Sequence, residues 1–141
     1  MPDEDLLAKG REIRRQLLGP QATDALDVDL YTDDPIMEKF GDLTQEIIFG
    51  TLWSRPGLDL KLRSLVTMVS DVATGETEAL GIHLRFARRY GYTEDEIVEI
   101  ILHLMGYVGV PKARRALIVA RDTFAAMRDE SQSESSGGIK S

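Results

Sequence analysis

Helical spacing of apolar residues is the feature that most limits what this 141-residue chain can fold into. The pattern is clearest between Gly75 and Gly91. One side of the helix predicted there carries four residues spaced i, i+3, i+4 and i+7, which share a face: Leu80, His83, Leu84 and Ala87. No segment alternates between apolar and polar residues with period two for long enough to be a convincing strand. The sequence therefore predicts an all-α fold of about six helices.

Glycine, proline and capping residues set the ends of the predicted helices. A glycine before a proline stops the first helix, Asp34 and Asp59 cap two later ones, and Thr93 forms a capping box with Glu96. Residues 21–30 are predicted to be a turn or a weak helix. The six helices are expected over residues 3–18, 35–50, 59–74, 76–90, 93–108 and 112–129.

Length and tail composition predict one domain followed by a disordered end. A chain of 141 residues is enough for one core and too short for two comfortable ones. We expect a single helical domain over residues 1–130. Residues 131–141 are rich in serine and glycine, have almost nothing to bury, and are predicted to be disordered.

The apolar faces are broad for so short a chain. The second predicted helix, for example, carries a stripe that is expected to be buried: Ile36, Phe40, Leu43, Ile47 and Ile48. We infer from the breadth of these faces that part of the apolar surface is covered between subunits of a homo-oligomer.

Charge and composition exclude several classes of protein. The net charge of -7 and the pI near 4.8 disfavour nucleic acid as a partner, since binding it needs a clustered basic face. No apolar run is long enough for a membrane span, and Asp3, Glu4 and Asp5 stand where a signal peptide would be positive. A cytoplasmic protein is therefore expected.

The absence of cysteine excludes disulfides, thiolate zinc sites and thiol catalysis. The two histidines, His83 and His103, leave little for a histidine-based metal site, so no metal is expected. His83 is the one titratable group placed on an apolar stripe. On the pattern alone, a core histidine satisfied by a hydrogen bond is the commoner meaning.

Three stretches carry more specific information when taken together. They are WSRPGLDLKLRSL at 53–65, EALGIHLR at 78–85, and GYTEDEIVEIILH at 91–103 running into GYVGVP at 106–111. In this combination the chain resembles the carboxymuconolactone decarboxylase family of the larger AhpD-like group, over roughly residues 5–127. The resemblance implies an AhpD-like helical fold and a homo-oligomer, a trimer or more often a hexamer built as a trimer of dimers.

The resemblance separates two branches of this group. The peroxidase branch carries a Cys-x-x-Cys pair ahead of a histidine, and here Glu76 and Ala79 stand where those cysteines are expected. Ser64 stands in place of the acid on the preceding helix, while His83 matches the histidine of the group. A thiol peroxidase is therefore excluded, because its mechanism needs a thiolate.

The decarboxylase branch implies a small acidic lactone as substrate. In carboxymuconolactone the charge left by the departing carboxylate spreads into the unsaturated lactone carbonyl, so no cofactor is needed. The enzyme must hold a dianion, exclude water from the leaving carboxylate and protonate carbon. Arginine suits the carboxylates and histidine suits the proton transfer, which makes Arg55 and His83 the catalytic candidates.

Four further residues are candidates for binding the substrate: Trp53, Arg63, Tyr107 and Thr51. Three of them have plainer alternatives. Trp53 is more often a packing anchor, Arg63 a solvated or interface arginine, and Tyr107 a packing residue at a helix end. Close relatives in the decarboxylase branch tend to carry an acid at the position of Thr51, which points toward a divergent substrate.

Three functions remain open from the sequence. The first is a cofactor-independent decarboxylase of the 4-carboxymuconolactone type, serving aromatic catabolism through the β-ketoadipate route. The second is a relative that catalyses lactone opening, dehydration or cyclisation on another lactone or polyketide-like substrate. The third is a non-catalytic oligomer that binds a small acid or a protein partner.

Overall fold

The computed structural model describes residues 3–138, with side chains for residues 3–135. This range contains helices and turns and no strand, which confirms the predicted all-α fold. It holds seven α-helices where about six are predicted: α1 (Glu4–Leu18), α2 (Pro20–Leu26), α3 (Pro35–Thr44), α4 (Leu60–Thr74), α5 (Thr77–Arg89), α6 (Glu94–Val108) and α7 (Val110–Gly138).

The additional helix is α2, in a segment predicted to be a turn or a weak helix. Gly19, with a φ of 91°, lies between α1 and α2 in a conformation that favours glycine. Pro20 then takes the first helical position, where its missing N–H costs no hydrogen bond. The buried Thr23 hydroxyl donates to the Gly19 carbonyl at 2.6 Å, which closes the first turn.

Two helices continue into wider π-helical turns. Residues Asp27–Tyr31 extend α2, and residues Gln45–Leu52 extend α3. The chain then leaves the helix at Trp53, as the Pro56-Gly57 pair predicts. Such π-helical segments are rare and occur frequently beside functional sites.

The capping predictions are confirmed. The Asp34 carboxylate accepts from the backbone N–H groups of Ile36 and Met37 at 2.9 and 3.2 Å. Thr93 and Glu96 form the predicted capping box, with bonds of 2.9 and 3.0 Å.

The second predicted helix corresponds to α3 and the π-helical segment 45–52. The prediction that its apolar stripe is buried is wrong within a single chain. Its residues are 36–78% exposed: Ile36, Phe40, Leu43, Ile47 and Ile48. Helical periodicity correctly identifies an amphipathic helix, but it does not specify what covers the apolar face. Other apolar side chains exposed by 40–79% include Leu62 and Val66 on α4 and Leu102, Met105 and Tyr107 on α6.

The chain divides into two compact units, Met1–Arg63 and Ser64–Ser141. In the first unit, α1 packs against the π-helical segment 45–52 so closely that the two backbones approach each other. A Cβ on Gly10 would lie 1.7 Å from the Gln45 carbonyl oxygen, and one on Gly50 would lie 2.3 Å from that of Leu6. Only glycine fits at these two positions while the helices remain this close.

The second unit is built on a continuous apolar core beneath α4, α5, α6 and α7. Its buried members are Met68, Val72, Leu80, Leu84, Ala87, Ile97, Ile101, Ala113, Ala116, Ala120 and Phe124. Both α5 and α6 pack against α7, where the small alanine side chains allow close contact. The prediction of a single domain over residues 1–130 stays a prediction.

The end of the chain differs from expectation. The last helix continues through Gly138, whereas the sequence predicts its end near Asp129 and disorder from Ser131. Residues 131–135 are all exposed, so this extension rests on backbone hydrogen bonds and not on a core. The predicted tail also includes residues 139–141, which lie outside the described range.

None of the helices over residues 3–138 is long and apolar enough to cross a membrane.

Candidate active site

His83 lies in the second turn of α5, on the face that packs into the second unit. Leu80 and Leu84 on the same face are fully buried, whereas the His83 side chain keeps 21% of its surface exposed. The Phe86 ring approaches the imidazole edge-on, with the ring centroids 5.2 Å apart. His83 therefore sits at the margin of the core, shielded on most sides and still accessible.

The imidazole is paired with a buried carboxylate from the preceding helix. Nδ1 of His83 makes a hydrogen bond to Oδ2 of Asp71, near the end of α4. The Asp71 side chain is 11% exposed. The expected histidine satisfied by a hydrogen bond is thus found, with a carboxylate as its partner.

A tight helix-to-helix turn creates this pairing. Gly75, with a φ of 78°, separates α4 from α5. The Asp71 carbonyl accepts from the Glu76 N–H at 2.9 Å and the Val72 carbonyl accepts from the Gly75 N–H at 3.3 Å. These bonds close the end of α4 and fix the backbone that carries Asp71.

The Asp71–His83 pair is suited to proton transfer. A carboxylate at Nδ1 favours the tautomer with its proton on that nitrogen, which leaves Nε2 to exchange a proton with a ligand. Glu76, the residue before α5, is exposed, and its side chain makes no hydrogen bond to the start of that helix.

Asp71 was not among the predicted site residues, although the sequence does contain a signal for it. The buried residues of α4 are Ser64, Met68, Asp71 and Val72, which follow helical spacing. An ionisable carboxylate on the buried face of a helix needs a partner. The nearest titratable residue on an apolar stripe is His83, twelve positions along the chain.

The candidate residues of the first unit lie on and around the turn between residues 52 and 60. Arg55 is exposed, and its guanidinium has no hydrogen-bond partner within residues 3–138. Arg63 instead binds the turn itself: Nη2 donates to the Arg55 carbonyl at 2.9 Å and Nε to the Leu58 carbonyl at 3.2 Å. Arg63 therefore braces the backbone that carries Arg55.

Among the other candidates, Trp53 is placed as its plainer alternative predicts, whereas Tyr107 is exposed and is not the packing residue of its plainer alternative. Trp53 is 6% exposed, with its ring 5.9 Å from that of Phe49, as a packing anchor would be. The Thr51 hydroxyl donates to the Glu46 carbonyl at 3.3 Å. Tyr107 on α6 is 79% exposed and its ring lies 5.2 Å from His103. Roles for these residues in binding substrate stay predictions.

No cluster of three or more His, Cys, Asp or Glu side chains suited to a metal ion occurs within the described part of the chain.

Comparison with known proteins bears on the chemistry of this site. The family model of the carboxymuconolactone decarboxylase family matches residues 38–122. The 4-carboxymuconolactone decarboxylase of Acinetobacter baylyi is 34% identical over 124 residues, which cover 88% of this chain and 90% of that protein. The nitrosuccinic acid decarboxylase of Metarhizium robertsii is 35% identical over 127 residues, covering 90% and 87%. The resemblance seen in the three sequence stretches is thus confirmed.

Proposed function

This chain belongs to the carboxymuconolactone decarboxylase family, and we propose that it removes a carboxyl group from a small polycarboxylic acid without a cofactor. It is a carboxy-lyase, since both curated relatives above are named decarboxylases. It is not a thiol peroxidase, because the sequence contains no cysteine. A non-catalytic binding protein is no longer a competing hypothesis.

The substrate that we propose first is 4-carboxymuconolactone or a similar carboxylated unsaturated lactone of aromatic catabolism. The second candidate is nitrosuccinic acid, favoured by a relative of equal similarity that is named for it and by Thr51, which departs from the acid of close lactone decarboxylases. The two compounds share the chemistry that matters. Each carries two carboxyl groups, and each has an electron-withdrawing group that accepts the charge left when one of them departs.

The observation that carries this proposal is the half-buried Asp71–His83 pair. Loss of carbon dioxide breaks a carbon–carbon bond, and its electron pair passes into the lactone carbonyl or the nitro group. The resulting carbanion equivalent must then receive a proton. In our proposal the doubly protonated His83 ring donates that proton from Nε2 and regains one from water, while Asp71 holds the ring by Nδ1.

We assign the carboxylate that stays on the substrate to Arg55. Its guanidinium is unpaired among the described residues and exposed on a turn braced by Arg63, and arginine binds carboxylates through two parallel hydrogen bonds. Burial of the departing carboxylate away from water then favours its loss as neutral carbon dioxide. The reaction needs no electron sink from outside the substrate.

Release of carbon dioxide from purified protein tests the proposed substrates. We expect one molecule of carbon dioxide per molecule of 4-carboxymuconolactone or of nitrosuccinic acid, with a kcat of about 1 s⁻¹ or faster for the true substrate. The matched controls are muconolactone, which lacks the second carboxyl group, and succinic acid, which lacks the electron acceptor. Release from neither candidate would reject both substrates, and release from succinic acid would reject the mechanism.

We also propose that the protein is a homo-oligomer, as its family resemblance implies. The exposed stripe on α3 and the π-helical segment 45–52 supports this, because contiguous apolar surface of this extent is rare on monomers.

Sedimentation velocity should give a mass near three or six times 15.7 kDa. Phe40→Asp should lower that mass, whereas Gln21→Asp, an exposed position on α2 with the same charge change, should not. A wild-type protein that sediments as a monomer would refute the proposal. A cytoplasmic location stays a prediction.

A further inference from the structure

The first unit contains a buried arginine that the proposed function does not use. Arg14, in the C-terminal half of α1, is 6% exposed. Its Nη1 donates to Oδ1 of Asp27 at 2.8 Å, and its Cζ lies 5.4 Å from the centre of the Tyr31 ring. Its Nη2 is buried and has no hydrogen-bond partner among the described residues. A buried guanidinium nitrogen left unpaired is costly, so this atom calls for a partner.

Arg14 lines an open cavity of about 300 Å³ in the same unit. This volume is at the lower end of the range of small-molecule sites, ~300–1,000 Å³. The two π-helical segments contribute to the wall through Tyr31 and Gln45. The cavity therefore combines an unpaired buried donor, room for an organic molecule and local backbone geometry that is uncommon in ordinary helices.

The aromatic wall of the cavity depends on a glycine. A Cβ on Gly41 would lie 3.0 Å from Cδ1 of Tyr31, so the missing side chain lets the ring lie against α3. The Tyr31 ring also stacks on Phe40, with ring centroids 6.5 Å apart. An apolar body next to the Arg14 guanidinium would meet this ring.

The charges around the cavity restrict the ligand to a single negative charge. The lining carries three arginines and three carboxylates: Arg11, Arg14, Arg15, Asp27, Glu38 and Asp42. Arg15 is already committed to Asp24 at 2.9 Å, and that hydrogen bond lowers the pKa of the Asp24 carboxyl. Asp27 is paired with Arg14 at 2.8 Å and Asp42 with Arg11 at 3.5 Å, so these arginines leave no excess positive charge for a second negative charge on the ligand. One carboxylate on Nη2 would complete the hydrogen bonding of Arg14.

We propose that this cavity binds a small organic monocarboxylate, with its carboxylate on Nη2 of Arg14 and its apolar body on the Tyr31 ring. All residues that line the cavity belong to the first unit, whereas Asp71 and His83 belong to the second. The inference does not depend on the proposed decarboxylation. It concerns binding alone, and the proposed ligand carries one carboxylate, whereas the proposed substrates carry two.

Calorimetric titration of the wild-type protein with benzoate tests the site. We expect saturable binding that weakens at least tenfold in Arg14→Met, the loss expected when a hydrogen bond to a charged group is removed. Thr32→Trp should weaken binding similarly by filling the mouth, since Thr32 is an exposed lining residue. This second variant leaves the Arg14–Asp27 ion pair intact and keeps the test decisive if Arg14→Met does not fold.

Lys9→Met is the matched control, because it removes an equal charge from an exposed residue of α1 that does not line the cavity. It should bind benzoate as the wild type does. Three outcomes would overturn the proposal: no binding to the wild type, binding unchanged in Thr32→Trp, or binding lost in Lys9→Met. Tighter binding of succinate or phosphate than of benzoate would overturn the assignment to a monocarboxylate.

Discussion

His83→Asn is expected to lower kcat for decarboxylation by about 10²- to 10⁴-fold, the usual contribution of a positioned acid or base. The asparagine amide can still donate to Asp71 from nearly the position of Nδ1, so the buried carboxylate keeps a partner. What the variant loses is Nε2, the nitrogen to which we assign the proton for carbon. The measurement is the rate of carbon dioxide release from the substrate identified above, at saturating concentration.

The matched control for this variant is His103→Asn. His103 lies exposed on α6 against Tyr107, and its replacement should leave kcat within about twofold of the wild type. A folded His83→Asn protein with normal turnover would show that another group protonates the carbon. His83→Ala should lose at least as much activity as His83→Asn, because it also leaves Asp71 without its partner.

Asp71→Asn is expected to lower kcat by about 100-fold or more with little change in KM. Asp71 acts as a positioning residue, since the structure shows it in contact with His83. An amide at this position is nearly the same size, but its NH₂ group can donate to Nδ1. That interaction favours the opposite tautomer, with Nδ1 unprotonated, so the ring no longer keeps a proton on Nδ1 while Nε2 donates one.

Nitrogen NMR of the His83 ring provides a readout that does not require turnover. In the wild type the signals should report the proton on Nδ1, and in Asp71→Asn they should shift toward the other tautomer. Glu76→Gln is the control, because it removes the same charge from an exposed carboxylate in the turn between α4 and α5. If Asp71→Asn changed KM alone, or left both the tautomer and kcat unchanged, the positioning role would be wrong.

The all-α fold could be predicted because its signals are local. Asp34 and Thr93 begin helices through bonds to backbone N–H groups two or three residues away, and such bonds depend on little beyond the adjacent sequence. The helix α2 was harder to predict. Its apolar pattern is weak, and the Thr23–Gly19 bond that closes its first turn becomes evident only in three dimensions.

The candidate site could be predicted only in part, for a different reason. His83 is identified by its place on an apolar stripe, but the rotation of α5 against α4 decides which carboxylate it meets. Arg63 illustrates the same limit. Its helix position predicts a solvated or interface side chain, or one that binds substrate, whereas the path of the turn brings two backbone carbonyls within its reach.

The short separation between Asp71 and His83 has a consequence for how the protein is made. The two residues are twelve positions apart and belong to one helix–turn–helix segment, so the loop that must close to bring them together is short and its entropic cost is small. A loop of about ten residues closes in ~10–100 ns. A newly synthesised chain can therefore assemble its proton-handling pair before the longer-range packing of α7 is complete.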